Sequence, residues 1–292
     1  MTSFTVFRRG EEMGRVELGI PGRHNVLNAL AAIALADDLE VDFNHVTRAL
    51  SSFAGAKRRF ESVYLSSRFH VVDDYGHHPT EIAATLQTAR SLEPGRIVTL
   101  FQPHRYSRTE RLAEEFGKAL QGADLVFVTG IYAASESPIK GISGMTILEA
   151  VERQGSTKCV YHEDLETVHH VVGNALRSGD LLLTLGAGNV HEAGKRISDD
   201  LQLIDALESE FAESEMEVRL YESMRRHTTI LVGGPAQFWI EPRTFGAFSG
   251  AVRFFKERGI PVRVVGRGSN LLVRDGGTVS YTHLTLPTKR IV

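Results

Sequence analysis

The sequence predicts an α/β fold built on a doubly wound, mostly parallel sheet. Three observations carry this. From Arg68 onward, short apolar runs recur at close intervals. Segments with helical character separate them, which is the grammar of parallel strands joined by crossover helices. The unusual polar residues cluster just after those runs, and ligands of open α/β sheets sit beyond the carboxyl ends of the strands.

The elements follow in chain order. Residues 16–23 read as a short strand and turn. A helix is expected from about His24 to Asp38, with Leu27, Leu30, Ala31 and Ala34 at helical spacing. A second short helix covers 43–53 and ends at Gly55. Strands are expected at 69–72, 97–101, 125–129, 159–161 and 181–185, with helices near 81–91, 110–121, 145–153 and 165–177. Residues 198–217 carry Asp199, Asp200, Asp205, Glu208, Glu210, Glu213, Glu215 and Glu217. That run reads as a solvated helix or linker and as a natural domain boundary. Beyond it, strands are expected at 228–232, 238–240 and 262–265, with a helix at 245–258. Residues 279–292 have no acidic residue and no helix period; they are expected to complete no element and to be a non-native tail.

Composition bounds the function. The 292 residues allow about two domains at roughly 100–200 residues each. A hydrophobic fraction of 42% and a formal charge of −3 argue against disorder and against a protein that holds nucleic acid by bulk charge. No stretch approaches ~20 apolar residues, and no basic-then-apolar signal opens the chain, so neither a membrane span nor secretion is expected. The single cysteine, Cys159, excludes an internal disulfide and a cysteine-based zinc site. A soluble, cytoplasmic protein is the expectation.

The polar strand ends supply the candidate chemistry. Asp73 and Asp74 follow the first strand of the alternating region and suit ribose hydroxyls or a water-mediated magnesium ion; Thr80 is the better-placed cap for the helix after them. His77 and His78 lack further matching metal ligands, which favours substrate contact. His104, Arg105 and Arg108 follow the second strand, and the two arginines, three apart, share a face suited to a carboxylate or phosphate. The third strand runs into 130–136, and a later one into Gly186-Ala187-Gly188-Asn189, a tight turn rather than a dinucleotide fingerprint, since position 191 is His. No Gly-x-x-x-x-Gly-Lys-Ser/Thr occurs anywhere. His24, Asn25 and Asn28 open a helix, where the asparagines either present amides to a purine edge or cap the helix. Lys57-Arg58-Arg59 either neutralises phosphates or forms a solvated hinge. Near the end, Arg226-His227-Thr228-Thr229, Val232-Gly233-Gly234-Pro235-Ala236 and Gly266-Arg267-Gly268-Ser269-Asn270 form motifs about thirty residues apart, suited to backbone approach to a pyrophosphate.

These residues resemble two families of peptidoglycan precursor synthesis. Residues 15–195 are similar to the end of UDP-N-acetylmuramate–L-alanine ligases, through 21–30, 57–60, 73–81, 101–109 and 186–188. Residues 218–277 are similar to the start of UDP-N-acetylenolpyruvoylglucosamine reductases, through 226–229, 232–236 and 266–273. The resemblance implies a ligase–reductase fusion cut at both ends. Residues 1–55 would end a central ATPase domain, 56–200 would form a Rossmann-like C-terminal ligase domain, 201–217 a linker, 218–277 a partial α+β FAD-binding domain, and 278–292 the tail. It further implies ATP and Mg2+ for the ligase, with FAD and NADPH for the reductase. By resemblance, His24, Asn25 and Asn28 lie near adenine and Asp74 near the ATP ribose. Arg105 and Arg108 grip the alanine carboxylate, His77 and His104 position the reacting groups, and Gly266, Gly268, Ser269 and Asn270 surround the FAD pyrophosphate. UDP-N-acetylmuramate and L-alanine are the implied substrates, and without a P-loop the chain alone is expected not to ligate. The alternatives are a non-catalytic nucleotide-binding or tethering module, or a flavoprotein fragment.

Overall fold

The structure, a computed structural model, describes residues 2–20, 22–53, 55–211, 214–266, 268–269 and 271–285. The chain divides into two compact units: 1–65, 70–163 and 179–191 in one, and 66–69, 164–178 and 192–292 in the other.

The first unit opens with an antiparallel hairpin, β1 (Thr2–Arg8) and β2 (Glu11–Leu18). Only the end of this hairpin is visible as a strand in the sequence, because most of its side chains stay partly or fully exposed and no apolar run forms. Its inward residues Val6, Val16 and Leu18 pack with Ala29 and Ile33 of α1 (Arg23–Asp38). Phe43, Val46 and Leu50 of α2 (Phe43–Ser52) close that small core. Asp42 starts α2 by accepting the N–H groups of Asn44 and His45, two of the donors that a helix start leaves unpaired.

A six-stranded sheet dominates the unit. Its strands are β3 (Glu61–Leu65), β4 (Phe69–Asp74), β5 (Arg96–Phe101), β6 (Leu125–Val128), β7 (Lys158–Tyr161) and β8 (Asp180–Leu185), in the order β3-β4-β8-β5-β6-β7. β3 runs antiparallel to β4, while β8, β5, β6 and β7 are mutually parallel in succession. β3 escapes the sequence reading because it is a half-exposed strand at the edge of the sheet. The crossovers include α3 (Pro79–Arg90), α4 (Tyr106–Arg111), α5 (Ala113–Leu120) and α6 (Gly144–Gln154). The single helix expected at 110–121 is two, broken at Leu112. Apolar residues of the sheet, among them Val72, Ile97, Phe101, Val126 and Leu183, form one core with Ile82, Leu86, Phe116, Leu120, Ile147 and Val151 from the helices. α5 and α6 approach closely at Gly117, where a Cβ would stand 2.6 Å from the Ala150 carbonyl oxygen.

The second unit contains α7 (Val168–Ala175), most of α8 (Val190–Glu208), β9 (Met216–Ser223), β10 (Pro235–Pro242), α9 (Phe245–Glu257), β11 (Val262–Val265) and β12 (Thr278–Thr285). Its sheet has the order β11-β12-β10-β9, with β9 and β10 antiparallel and β12 parallel to both neighbours. Here the structure differs from expectation in three places. Of the two readings of the acidic stretch, helix holds over its first half, but the helix is not solvated all round: Ile197, Leu201, Ile204 and Leu207 are buried along α8, so the acids decorate the other face of an amphipathic helix. Its end forms β9. Residues 228–232 are not a strand but a loop after one 3-10 turn (Met224–Arg226), closed where the Thr228 hydroxyl donates to the Val232 carbonyl at 2.8 Å. Residues 279–285, expected to complete no element, belong to β12 (Thr278–Thr285) inside the sheet; 286–292 lie outside the described residues. In the buried interior, Asp200 accepts hydrogen bonds from the Tyr221 hydroxyl and from Gln237 at 2.7 Å.

Among the described residues, no helix is long and apolar enough to cross a membrane.

Candidate functional site

The site is built where β4, β5, β6 and β8 of the first unit end. β4 delivers Asp73 and Asp74, both buried, into different tasks. Asp73 accepts from Arg58 Nε at 2.9 Å and from the Thr184 hydroxyl at 2.6 Å. The same guanidinium donates to the carbonyls of Gly186 and Gly188 at 2.6 and 3.0 Å. Arg58 is thereby the clamp between β4 and the turn after β8, and Asp73 is a structural carboxylate, which removes it as a magnesium or ribose candidate. Of the two roles open for the basic run, Arg58 has neither.

Asp74 faces a cavity of about 880 Å³. It accepts from Gly76 N at 2.7 Å, Phe60 N at 2.8 Å and the Thr85 hydroxyl at 3.3 Å. Burial raises its pKa against the pull of those donors and of Arg59. The cavity is also lined by Asn25, Asn28, Arg59, Thr80 and Glu81, with Leu18, Ile20, Ala29, Leu50 and Phe53 on its apolar side. Asn28 donates to Asn25 at 3.4 Å. α1 has Gly22 as its N-cap and no side-chain cap, so helix capping is not what these asparagines do. The His24 side chain lies outside the described residues. Arg59, a residue of the basic run, is the cation the sequence left undecided: it lies 3.8 Å from Glu81 and over the Tyr75 ring at 5.6 Å.

The loop after β4 then turns into α3. The cap is His78, not Thr80: Glu81 accepts the N–H groups of His77 and His78, and His78 Nδ1 accepts that of Thr80. His77 Nδ1 lies 3.0 Å from the Tyr75 carbonyl oxygen. The two histidines are therefore spent separately, and among the described residues no group of three or more His, Cys, Asp or Glu could hold a metal ion.

From β5 comes the second half of the site. The His77 and His104 rings lie 5.2 Å apart, and Arg108 Nη1 approaches His104 Nδ1 at 3.4 Å and the His77 carbonyl at 3.5 Å. Burial lowers the His104 pKa, and the charges of His77, Arg108 and Arg105 lower it further against the pull of Glu136, so the imidazole is neutral near pH 7. Arg105 is exposed at the start of α4, with φ 71° and ψ 138°, an uncommon backbone for a residue with a side chain. Tyr132, from the loop after β6, stacks on His104 with centroids 5.6 Å apart and planes 12° apart. The sequence flagged 130–136, Tyr132 included, as a polar strand end but gave no residue in it a role; the aromatic ring there was the available signal.

The glycine-bearing motifs of the second unit also meet, since Thr229 N donates to Gly268 O at 3.2 Å. Gly268 (φ 64°) is buried against the His227 carbonyl, whereas Gly266 and Ser269 are exposed and Asn270 lies outside the described residues.

Residues 58–188 match the family model of the Mur ligase, glutamate ligase domain. They hold the clamp, the histidine–arginine cluster and the glycine turn. A UDP-N-acetylmuramate–L-alanine ligase of Desulforamulus reducens is 46% identical over 197 residues, covering 68% of this chain and 43% of that protein. The corresponding ligase of Nitratidesulfovibrio vulgaris is 48% identical over 194 residues, 66% of this chain and 43% of its own length. The crystal structure of UDP-N-acetylmuramate–alanine ligase from Thermotoga maritima superposes with a TM-score of 0.59 at 35% identity, covering 68% of this chain and 43% of that one. The chain thus spans under half the length of these relatives. Its Rossmann-like α/β domain matches the Mur ligase C-terminal fold.

These matches overturn the expected fusion. Similarity to the L-alanine ligases runs as one continuous stretch over most of the chain rather than as separate ligase and reductase fragments. The FAD and NADPH assignments, with the flavin roles of Gly266, Gly268, Ser269 and Asn270, have no support.

Proposed function

We propose that this chain supplies the amino-acid-binding region and one wall of the nucleotide site of an ATP-dependent ligase of peptidoglycan precursor synthesis. The reaction joins L-alanine to UDP-N-acetylmuramate. The observation that carries the reading is that Asn25, Asn28 and Asp74 line one cavity, while His77, His104 and Arg108 form a contact cluster at the ends of the same sheet's strands.

In that reaction the muramyl carboxylate attacks the γ-phosphate of ATP, releasing ADP. The alanine amine then attacks the acyl phosphate, forming the amide and releasing phosphate and a proton. The residues present fit the nucleotide. A carboxylate offers about four acceptor sites, and Asp74 has three donors from its own fold, which leaves a place for a ribose hydroxyl. Asn25 and Asn28 present amides to the base, and Arg59 brings a guanidinium to the cavity wall for the phosphates. Magnesium bound through the nucleotide's phosphates would offset charge on the transferred group. Arg105 and Arg108 suit the alanine carboxylate through paired hydrogen bonds. The neutral His104 imidazole suits the proton leaving the alanine ammonium, with His77 beside it.

The 292 residues contain no P-loop, so the phosphate cradle must come from another polypeptide segment, and the chain alone is expected not to ligate. The test supplies the missing ligase domains in trans and follows phosphate release dependent on UDP-N-acetylmuramate and L-alanine. Restored turnover, lost again on Asp74→Ala or Arg108→Ala, is the expected result. Nucleotide binding without turnover would refute it in favour of a tethering module.

A further inference from the structure

We propose that Tyr132 is a positioning residue, holding the His104 imidazole through its ring and the Arg105 backbone through its main chain. This deepens the reading of the His77–His104–Arg108 cluster given above and rests on it.

Four observations converge. The Tyr132 ring lies parallel to His104, offset-stacked at 5.6 Å. The ring also lies against Gly188, where any Cβ would meet the Gln102 amide oxygen and come within 2.7 Å of the tyrosine ring. A glycine is thus required there for the ring to enter, and Arg58 fixes that glycine by donating to its carbonyl at 3.0 Å. The backbone repeats the grip: Tyr132 N donates to Pro103 O at 2.8 Å, and Arg105 N donates to Tyr132 O at 2.8 Å, an isolated parallel bridge outside the regular sheet. This bridge lies at Arg105, whose φ of 71° is a conformation that persists only where surroundings over-determine it. A second tie closes the loop, since Ser107 N and Oγ donate to Glu136 at 3.0 and 2.7 Å.

The ring also screens one face of His104 from water. The charged and titratable groups around that imidazole are His77, Arg105, Arg108 and Glu136. Losing the ring restores hydration and frees rotation of the imidazole, without removing any of those charges.

The test is a pH titration of the His104 ring protons by NMR on the full 292-residue chain, for wild type, Tyr132→Phe and Tyr132→Leu. The phenylalanine variant is expected to titrate as wild type, and the leucine variant to move toward the ordinary histidine value. With the missing ligase domains supplied, Tyr132→Leu is expected to raise the KM for L-alanine about tenfold, by misplacing groups it does not itself carry. Tyr132→Phe should restore it. Unchanged titration and unchanged KM in Tyr132→Leu would overturn the proposal. Should that variant not fold, the wild-type chain decides: cross-relaxation between Tyr132 and His104 ring protons is expected, and its absence refutes the stacking. If the complemented wild type shows no turnover, the ligase reading fails while the titration still judges Tyr132.

Discussion

Arg58→Ala should cost the first unit about 3 kcal/mol. The guanidinium makes one ion pair with a carboxylate only 4% exposed and two hydrogen bonds to carbonyls. Removing one partner of a buried pair costs roughly 3–5 kcal/mol, because the other charge remains in the interior. Arg58 is itself 21% exposed, which places the value at the lower end. In the variant, Asp73 keeps only the Thr184 hydroxyl as a side-chain donor. Asp73→Asn in the same background removes the stranded charge and should recover part of the loss, a coupling of about 1–3 kcal/mol. The assay must report the right unit. Trp239, the only tryptophan, lies in the second unit, so its fluorescence is the wrong probe. Cys159, the only cysteine, lies in β7 of the first. Burial, reinforced by the Glu152 charge, pushes its thiol up to about 12, so the native protein resists thiol reagents at pH 8 and unfolding exposes it. Urea-dependent labelling of Cys159 therefore measures the stability in question. A loss below 1 kcal/mol, or single and double variants whose effects simply add, would refute the clamp.

Two further outcomes are expected. Burial raises the Asp200 pKa from 3.8 to about 6, against hydrogen bonds from Tyr221 and Gln237. The folded state therefore holds that proton more tightly than the unfolded chain, and its contribution to stability is lost as pH rises through about 6. The full shift corresponds to about 3 kcal/mol, of which about 2 is lost between pH 4.5 and 7.5. Asp200→Asn escapes this loss, so its stability relative to wild type should rise across that range, as read by Trp239 fluorescence in urea; a constant difference would contradict the assignment. Gly117→Ala should destabilise by about 1–3 kcal/mol, because α5 and α6 must separate to admit a Cβ against the Ala150 carbonyl. The Cys159 labelling midpoint checks this, and an unchanged midpoint would mean the helices have room.

Much of the sheet was legible because its central strands are buried end to end. Residues 97–101, 125–129 and 181–185 read as apolar runs and appear within one residue as β5, β6 and β8. β1 and β3 were not, because edge strands with mixed exposure carry no such run. In α8 the acids masked Ile197, Leu201, Ile204 and Leu207, whose spacing of four, three and three is the helical signal. Asp74, His77 and His104 were legible because strand ends gather ligand-facing residues. Arg58 was not, since its partners lie 15 to 130 residues away and only the fold brings them together. The glycine motif around Gly268 misled for a physical reason: its glycine is demanded by a positive φ and by the His227 carbonyl packed against it. A glycine that its own backbone requires says nothing about a pyrophosphate.

The position of β8 has a consequence for biosynthesis. It is the last strand of the large sheet to be translated, yet it lies between β4 and β5. Until residues 180–185 emerge from the ribosome, those two earlier strands have no shared neighbour, and each offers an unpaired edge to other nascent chains. A translational pause before that point would leave the polypeptide most prone to aggregate, and a chaperone that shields strand edges would have its greatest effect there.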